Sequence, residues 1–118
     1  MTDDTIKLTT AQAIVGWLSS QFIKIDGKEE RLCGGGFGIF GHGNVTCLGE
    51  ALYNHKEELP LYRGQNEQSM GFAAAGYSKY WLRKRFMFCT ASAGPGTANL
   101  LTASGLAHTN RLPMLLLC

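Results

Sequence analysis

Short apolar runs alternate with longer segments of helical pattern along the sequence, and this alternation restricts the fold more than any other feature. Mostly apolar strands are predicted at residues 37–40, 86–90 and 114–117, and a short strand that follows Pro60 is predicted at residues 61–63. The segments between them are long enough to cross from one parallel strand to the next. Because alternating strands and helices form parallel sheets with helices on both faces, the sequence predicts an α/β fold with an open parallel sheet.

The first 35 residues are predicted to contain a helix and a turn. Thr9 and Gln12 have the spacing of a capping box. A helix is therefore predicted from there to about Phe22, with Trp17 and Phe22 near one face. The following stretch IKIDGKEER is interpreted as a polar turn around Asp26-Gly27.

The remaining helices are placed by capping residues and by the strands that flank them. Asn44 is predicted to cap a helix that runs through Tyr53. The longest helix is predicted at about residues 66–83, and a further one at residues 96–109. Each of these helices separates two predicted strands, as a parallel sheet requires.

The composition indicates a globular chain and excludes several classes of partner. Hydrophobic residues make up 45% and charged residues 17% of the 118 residues, which is not a disordered composition. The net charge of +2 has no long basic block behind it, so no nucleic-acid partner is predicted. No apolar run of about 18 residues occurs, so no membrane partner is predicted. The scattered cysteines lack a C-x-x-C pair, which favours a cytoplasmic location and no metal site.

Three loops rich in small residues follow the predicted strands. They are residues 41–44, 64–67 and 93–96, and His42, Glu67 and Thr90 lie in or beside them. In an open parallel sheet, ligands bind outside the carboxyl ends of the strands. One such loop is ordinary turn chemistry, and Glu67 alone is equally an acid favoured by a helix N-terminus. Three loops at one sheet edge indicate a ligand site.

A second glycine pattern keeps two other functions open. Residues 36–41 match G-x-G-x-x-G, the pattern of dinucleotide-binding loops. That mechanism needs the glycines after a strand and before a helix, whereas here the apolar strand lies inside the pattern. A nucleotide-binding module and a non-catalytic interaction domain nevertheless remain as alternatives.

Three motifs resemble those of thiamine diphosphate enzymes, in the same order and spacing. The segment RGQNEQ, followed by small residues and GYS, resembles the glutamate helix of acetohydroxyacid synthase and its relatives. Phe40-Gly41-His42-Gly43 resembles the first-strand loop of that family, and TASAGPGTAN at residues 90–99 resembles its T-S-G-P-G-A-T-N turn. The resemblance covers residue 9 to the end and implies the family's pyrimidine-binding fold.

Further stretches resemble one branch of that family, the hydrolases of inositol breakdown. They are LTTAQAIVGWL, IDGKEE, IFGHGNV, YRGQNEQSM and YSKYWLRKR. The resemblance implies cleavage of a carbon–carbon bond in a cyclic trihydroxy-dione, a small-molecule substrate. An enzyme of the acetohydroxyacid synthase type is the alternative. Residues 1–118 are expected to form an incomplete N-terminal pyrimidine-binding domain, a fragment of a longer enzyme that is inactive alone and assembles as a dimer or tetramer when complete.

The resemblance also implies roles for particular residues. Glu67 is the expected catalytic residue, hydrogen-bonded to N1′ of thiamine diphosphate. Where the partner domain covers the site, burial is expected to raise the pKa of Glu67 more than the helix N-terminus lowers it. The other expected cofactor-binding residues are Thr90, Gly94, Pro95 and Gly96. The candidate substrate residues are His42, Gly43, Asn44 and Asn66. The family has His where Asn66 stands, and Pro near Gly43. The diphosphate and its Mg²⁺ are expected to bind to a further, C-terminal domain.

Overall fold

The computed structural model describes residues 5–118, which form two sheets and six α-helices in the part of the chain described. The strands are β1 (Phe22–Ile25), β2 (Lys28–Arg31), β3 (Cys33–Ile39), β4 (Leu61–Arg63), β5 (Phe86–Ala91) and β6 (Leu115–Leu117). The helices are α1 (Thr10–Ser19), α2 (His42–Asn44), α3 (Glu50–Asn54), α4 (Glu67–Tyr80), α5 (Pro95–Asn99) and α6 (Leu101–Thr109). A π-helical segment, Val45–Gly49, joins α2 to α3. Within residues 5–118, no helix combines the length and apolar character needed to cross a membrane.

The main sheet is open and entirely parallel, with the strand order β4-β3-β5-β6. In register, Gly38 of β3 lies between Arg63 of β4 and Thr90 of β5. Thr90 in turn pairs with Leu117 of β6. The predicted parallel α/β sheet and its four strands are therefore confirmed.

Two hydrophobic clusters cover opposite faces of this sheet. Phe88 of β5 packs with residues of α1 and α3, including Leu18 and Leu52. Its neighbours Met87 and Cys89 point the other way and pack with Met70 of α4 and other residues of that face. Because side chains alternate along a strand, β5 supplies both cores, and helices cover both faces as predicted.

Strand β3 begins at Cys33, four residues before the predicted start at Phe37. The glycines at residues 34–36 have no apolar side chains, so the apolar pattern did not predict a strand there. The packing nevertheless requires these glycines. A side chain at Gly36 would collide with the ring of Phe88. Gly35 has φ +111° and lies against the carbonyl oxygen of Pro60, and the β3–β5 register shifts between Cys33 and Gly36. The strand is therefore built for close backbone approach.

The segment predicted as a polar turn is a β-hairpin. The capping box of Thr9 and Gln12 is confirmed, but α1 ends at Ser19 and Phe22 belongs to β1. Strands β1 and β2 are antiparallel and joined by Asp26 and Gly27, with φ values of 51° and 82°. Positive φ at both central residues is the geometry of a tight hairpin turn. Trp17, predicted to lie on an apolar face, is 61% exposed.

The other helices differ from the predictions at their ends. Asn44 caps no helix, because helical structure begins at His42 and continues through the π-helical segment. Helix α4 has the predicted start, but it ends at Tyr80 because Leu82 and Arg83 take positive φ.

The helix predicted at residues 96–109 is two helices that meet at Leu100. The first, α5, already begins at Pro95. The turn and the helix predicted after β5 therefore overlap in one compact segment.

Candidate functional site at the carboxyl edge of the sheet

The loops that follow β3, β4 and β5 contact one another at the carboxyl edge of the sheet. After β3, a Cβ placed on Gly41 would lie 3.0 Å from Cβ of Ser92, which follows β5. At the start of α4, after β4, Oε1 of Glu67 lies 3.3 Å from the Cβ position of Gly96. The turn after β5 therefore contacts both of the other glycine-rich loops.

Glu67 is the first residue of α4, and local sequence fixes it there. Oδ1 of Asn66 accepts hydrogen bonds from the backbone N–H of Ser69 (3.1 Å) and from its hydroxyl (3.4 Å), the arrangement of an N-cap. Gly64 has no side chain, and any Cβ there would collide with Met70. Met70 is buried, so this packing holds the first turn of α4 against the sheet.

The segment after β5 is a tight turn held by its own hydrogen bonds. Gly94 has φ +80°, a conformation that favours glycine. The backbone N–H of Thr97 and its hydroxyl both donate to the carbonyl oxygen of Ser92, at 3.0 and 3.1 Å. A Cβ on Gly96 would lie 2.6 Å from Oγ of Ser92. Because Gly96 has no side chain, its backbone can lie close to the Glu67 carboxylate.

The carboxylate of Glu67 has one oxygen engaged. The side-chain amide of Asn99 donates to Oε2 at 2.9 Å. This donor, together with the backbone N–H of Glu67, lowers the pKa of the carboxyl below its ordinary value and outweighs burial. Glu67 is only half-buried here, so the expectation that burial dominates in a site covered by a partner domain stays a prediction.

Thr90 lies on the opposite face of the sheet from Glu67. A Cβ on Gly38 would lie 3.2 Å from Cγ2 of Thr90 and 3.2 Å from Cδ1 of Leu61, and Leu61 packs with the α1 and α3 face. Thr90 is fully buried, and within residues 5–118 its hydroxyl has no hydrogen-bond partner. The structure therefore does not bring Thr90 to the Glu67 carboxylate.

The candidate substrate residues lie in three different places. Asn66 adjoins Glu67 at the N-cap of α4. His42 and Gly43 are exposed at the start of α2. Asn44 lines a cleft of about 300 Å³ together with Leu117 and other residues on the α1 side. Asn44 is therefore associated with the far face of the sheet.

The G-x-G-x-x-G pattern does not form a dinucleotide-binding loop. Gly36 and Gly38 lie inside β3, where both pair with neighbouring strands. Their role is to make room for Phe88 and Thr90. A phosphate-binding turn requires such glycines between a strand and a helix. The glycine pattern therefore does not support the nucleotide-binding alternative.

The Glu67 carboxylate offers a hydrogen-bond acceptor of the kind that a protonated ring nitrogen requires. Oε1 of Glu67 lies 3.3 Å from the Cβ position of the buried Gly96, and it accepts no hydrogen bond from another side chain among the residues described. Mg²⁺ bound to a diphosphate prefers oxygen ligands in octahedral geometry. No group of three or more His, Cys, Asp or Glu side chains suited to a metal occurs among the residues described.

Comparison with known families agrees with this geometry. Residues 36–118 match the model of the thiamine pyrophosphate enzyme N-terminal TPP-binding domain. The chain belongs to the thiamine pyrophosphate enzyme family. The matched residues include every loop of the carboxyl edge, from Gly41 to Asn99.

Three relatives of this thiamine pyrophosphate enzyme chain carry the name 3D-(3,5/4)-trihydroxycyclohexane-1,2-dione hydrolase. The protein of Listeria innocua serovar 6a is 50% identical over 117 residues, which cover 99% of this chain and 18% of the relative. Those of Bacillus thuringiensis and Bacillus cereus are 48% identical over 113 residues, which cover 96% of this chain and 18% of each relative. The chain thus spans about 18% of the length of these relatives.

Asn99 is the functional candidate that sequence reasoning missed. It is the last residue of the TASAGPGTAN motif, 32 positions from Glu67. The motif marks the turn as special, but only the packing of α4 against α5 brings the amide to the carboxylate. The only sequence feature that indicated a role for Asn99 is that it is a polar residue at the end of a glycine-rich motif.

Proposed function

We propose that this chain is the pyrimidine-binding N-terminal domain of a thiamine diphosphate-dependent hydrolase. The proposed reaction is cleavage of a carbon–carbon bond in a cyclic trihydroxy-dione during inositol breakdown. Membership of the thiamine pyrophosphate enzyme family supports the cofactor. The names of relatives at 48–50% identity support the substrate.

One observation carries the proposed role of Glu67. It is the first residue of α4, with Oε2 held by Asn99 and Oε1 beside the backbone of Gly96. A carboxyl group with one free oxygen at the ligand-binding edge of a parallel sheet is suited to exchanging a proton with a bound ring. In this proposal, that ring is the aminopyrimidine of the cofactor, and N1′ is its proton partner.

In this proposal, the residues of this chain orient the aminopyrimidine ring and protonate its N1′. The cofactor, when bound, supplies the reactive carbon and the electron sink. Oε1 of Glu67 holds the proton that is shared with N1′. The turn containing Gly94, Pro95 and Gly96 forms the wall beside the ring. His42, Gly43, Asn44 and Asn66 remain candidates for substrate contacts, with Asn66 the one nearest the carboxylate in sequence.

The rest of the proposed enzyme supplies what these residues lack. Because the chain spans about 18% of its relatives, we propose that further domains hold the diphosphate and Mg²⁺ in the complete enzyme. A second copy of the enzyme is proposed to complete the site in a dimer or tetramer. Glu67 is then more enclosed than in this chain, and desolvation raises its pKa relative to the value here.

The test is Glu67→Gln in the complete enzyme, with Glu50→Gln as the matched control. Glu50 is an exposed helical acid, so its substitution makes the same charge change away from the proposed site. Glu67→Gln is expected to lower turnover of the cyclic dione by about 10²–10⁴-fold. Exchange of the C2 proton of thiamine diphosphate, followed by NMR, is expected to slow in parallel.

Two results would overturn the proposal. Equal turnover in Glu67→Gln and Glu50→Gln would reduce Glu67 to a helix-end charge. Turnover of 2-oxo acids with no turnover of the cyclic dione would replace the proposed reaction by one of the acetohydroxyacid synthase type.

A further inference from the structure

The two oxygens of the Glu67 carboxylate have different surroundings. Oε2 accepts a hydrogen bond of 2.9 Å from Nδ2 of Asn99. Oε1 lies 3.3 Å from the position that a Cβ on Gly96 would occupy. Asn99 therefore holds Oε2, while Oε1 lies against the buried backbone of Gly96 and receives no side-chain hydrogen bond from the residues described.

A carboxylate on a helix-terminal residue rotates about its side-chain bonds unless another group holds it. Asn99 closes α5, whose turn is itself fixed by the two hydrogen bonds from Thr97 to Ser92. Its neighbour Leu100 is buried in the cluster that contains Met70 of α4. The amide of Asn99 is therefore presented from an anchored segment, and it restricts the carboxylate to one orientation.

The chemistry of the amide suits this role. Nδ2 is a donor only, so it stabilises the ionised carboxylate and keeps a proton off Oε2. A proton arriving at Glu67 is then directed to Oε1. Positioning of this kind matters because displacement of a reacting group by about 1 Å can reduce the rate by about 10²-fold.

We propose that Asn99 is a positioning residue that holds Oε2 of Glu67 and thereby makes Oε1 the oxygen that exchanges the proton with the cofactor ring. The inference rests on the proposed function of Glu67 and adds the residue that orients it. Asn99 does not itself contact the reacting atoms in this scheme.

The experiment compares Asn99→Ala and Asn99→Asp with Asn110→Ala as the matched control. Asn110 is also an asparagine at a helix end, and its amide donates a hydrogen bond of 2.9 Å to the carbonyl oxygen of Leu106. It lies beside the later turns of α4, near Gly76 and Lys79, and not at the Glu67 end of that helix. The first readout is a ¹³C NMR titration of glutamate carboxyls in the protein without cofactor, with Glu67→Gln identifying the signal. The second is kcat and KM of the complete enzyme.

Asn99→Ala is expected to return the Glu67 pKa to the ordinary range, and Asn99→Asp to raise it further, since two adjacent carboxylates disfavour ionisation. Both variants are expected to lower kcat by about 10–100-fold with little change in KM. Asn110→Ala is expected to match the unmodified protein in both readouts. Asn99→Asp keeps the size of the side chain, so it remains informative if Asn99→Ala fails to fold.

An unchanged Glu67 titration in both Asn99 variants would overturn the inference. So would full kcat in these variants alongside an inactive Glu67→Gln enzyme. Full activity of Glu67→Gln would instead mark failure of the proposed function itself, because that result does not involve Asn99.

Discussion

The side-chain amide of Asn99 donates a hydrogen bond of 2.9 Å to Oε2 of Glu67, linking the end of α5 to the start of α4. The two residues are 32 positions apart: Glu67 is the first residue of α4, and Asn99 is the last residue of α5. This contact determines which oxygen of Glu67 is free. It also makes the carboxylate sensitive to changes in the turn after β5, on which the first predictions depend.

We expect the Glu67 carboxylate to stabilise the folded chain at neutral pH and not in acid. The amide of Asn99, followed by the backbone N–H of Glu67, lowers the pKa in the folded state. A lowered folded-state pKa contributes stability above the unfolded pKa of about 4.3, and this contribution is lost as pH falls through the folded-state value. Urea denaturation should therefore show the unmodified protein losing its advantage over Glu67→Gln between pH 7 and pH 3. A constant difference would contradict the assigned cause.

Gly96→Ala is expected to displace the turn from Glu67. The new Cβ would lie 2.6 Å from Oγ of Ser92 and 3.3 Å from Oε1 of Glu67. We expect the free energy of unfolding to fall by about 1–3 kcal/mol and turnover of the complete enzyme to fall with it. Gly105→Ala in α6 is the control, since it meets no atom within 4 Å and adds a better helix former. Equal stability of the two variants would contradict this expectation, because it would show that the turn accommodates the added Cβ at no cost in free energy.

Helices α4 and α6 are expected to separate in Gly71→Ala. Gly71 is buried, and a Cβ there would collide with Cβ of Ala103. Overpacking of this kind typically destabilises by about 1–3 kcal/mol. Gly76→Ala lies on the same helix with no atom within 4 Å, so it should stabilise by about 0.5–1 kcal/mol. Thermal melts of the pair measure both effects, and two variants shifted in the same direction would refute the packing argument.

Thr90→Val is expected to raise stability. The Thr90 hydroxyl is fully buried, and the described part of the chain offers it no partner, a situation that costs about 1–3 kcal/mol. Valine keeps the shape without the polar atom. Ser78→Ala is the contrasting variant, because the Ser78 hydroxyl donates to the carbonyl oxygen of Arg85 at 3.1 Å and its loss should destabilise by about 1 kcal/mol.

The Thr90→Val variant also tests the cofactor-binding role that the family resemblance implies for Thr90. Calorimetric binding of thiamine diphosphate to the complete enzyme should be unchanged if Thr90 only fills the core. A marked loss of affinity would instead support direct contact, and would show that the face opposite Glu67 also contributes to the cofactor site.

The parallel sheet was predictable because most of its strands can be recognised from their own residues and from those that flank them. The runs at 86–90 and 114–117 are mostly apolar and follow Arg85 and Pro113, and residues 61–63 lie between Pro60 and Gly64. Asn66 likewise has the chemistry of a cap and is one. In these places local propensity, pattern and tertiary packing agree, and the sequence alone suffices.

The differences arise where packing outweighs local pattern. Strand β2, with the sequence KEER, has no apolar alternation, and it forms because Asp26-Gly27 takes the hairpin geometry. The early part of β3 is glycine-rich because the ring of Phe88 and Pro60 occupy the space of its side chains. Asn99 reaches Glu67 only through the packing of distant helices. Such contacts are invisible to periodicity.

The position of β3 at the centre of the sheet has a consequence for how the chain reaches its fold. Gly36 pairs with Leu61 of β4, twenty-five residues later, and with Phe88 of β5, fifty-two residues later. The entropy of loop closure rises by about 0.6 kcal/mol for each doubling of length, so the first pairing closes more readily than the second. We expect β4 to pair with β3 before β5 does. The hydrogen bond between Asn99 and Glu67 is then expected to form only late in folding, after β5 has paired.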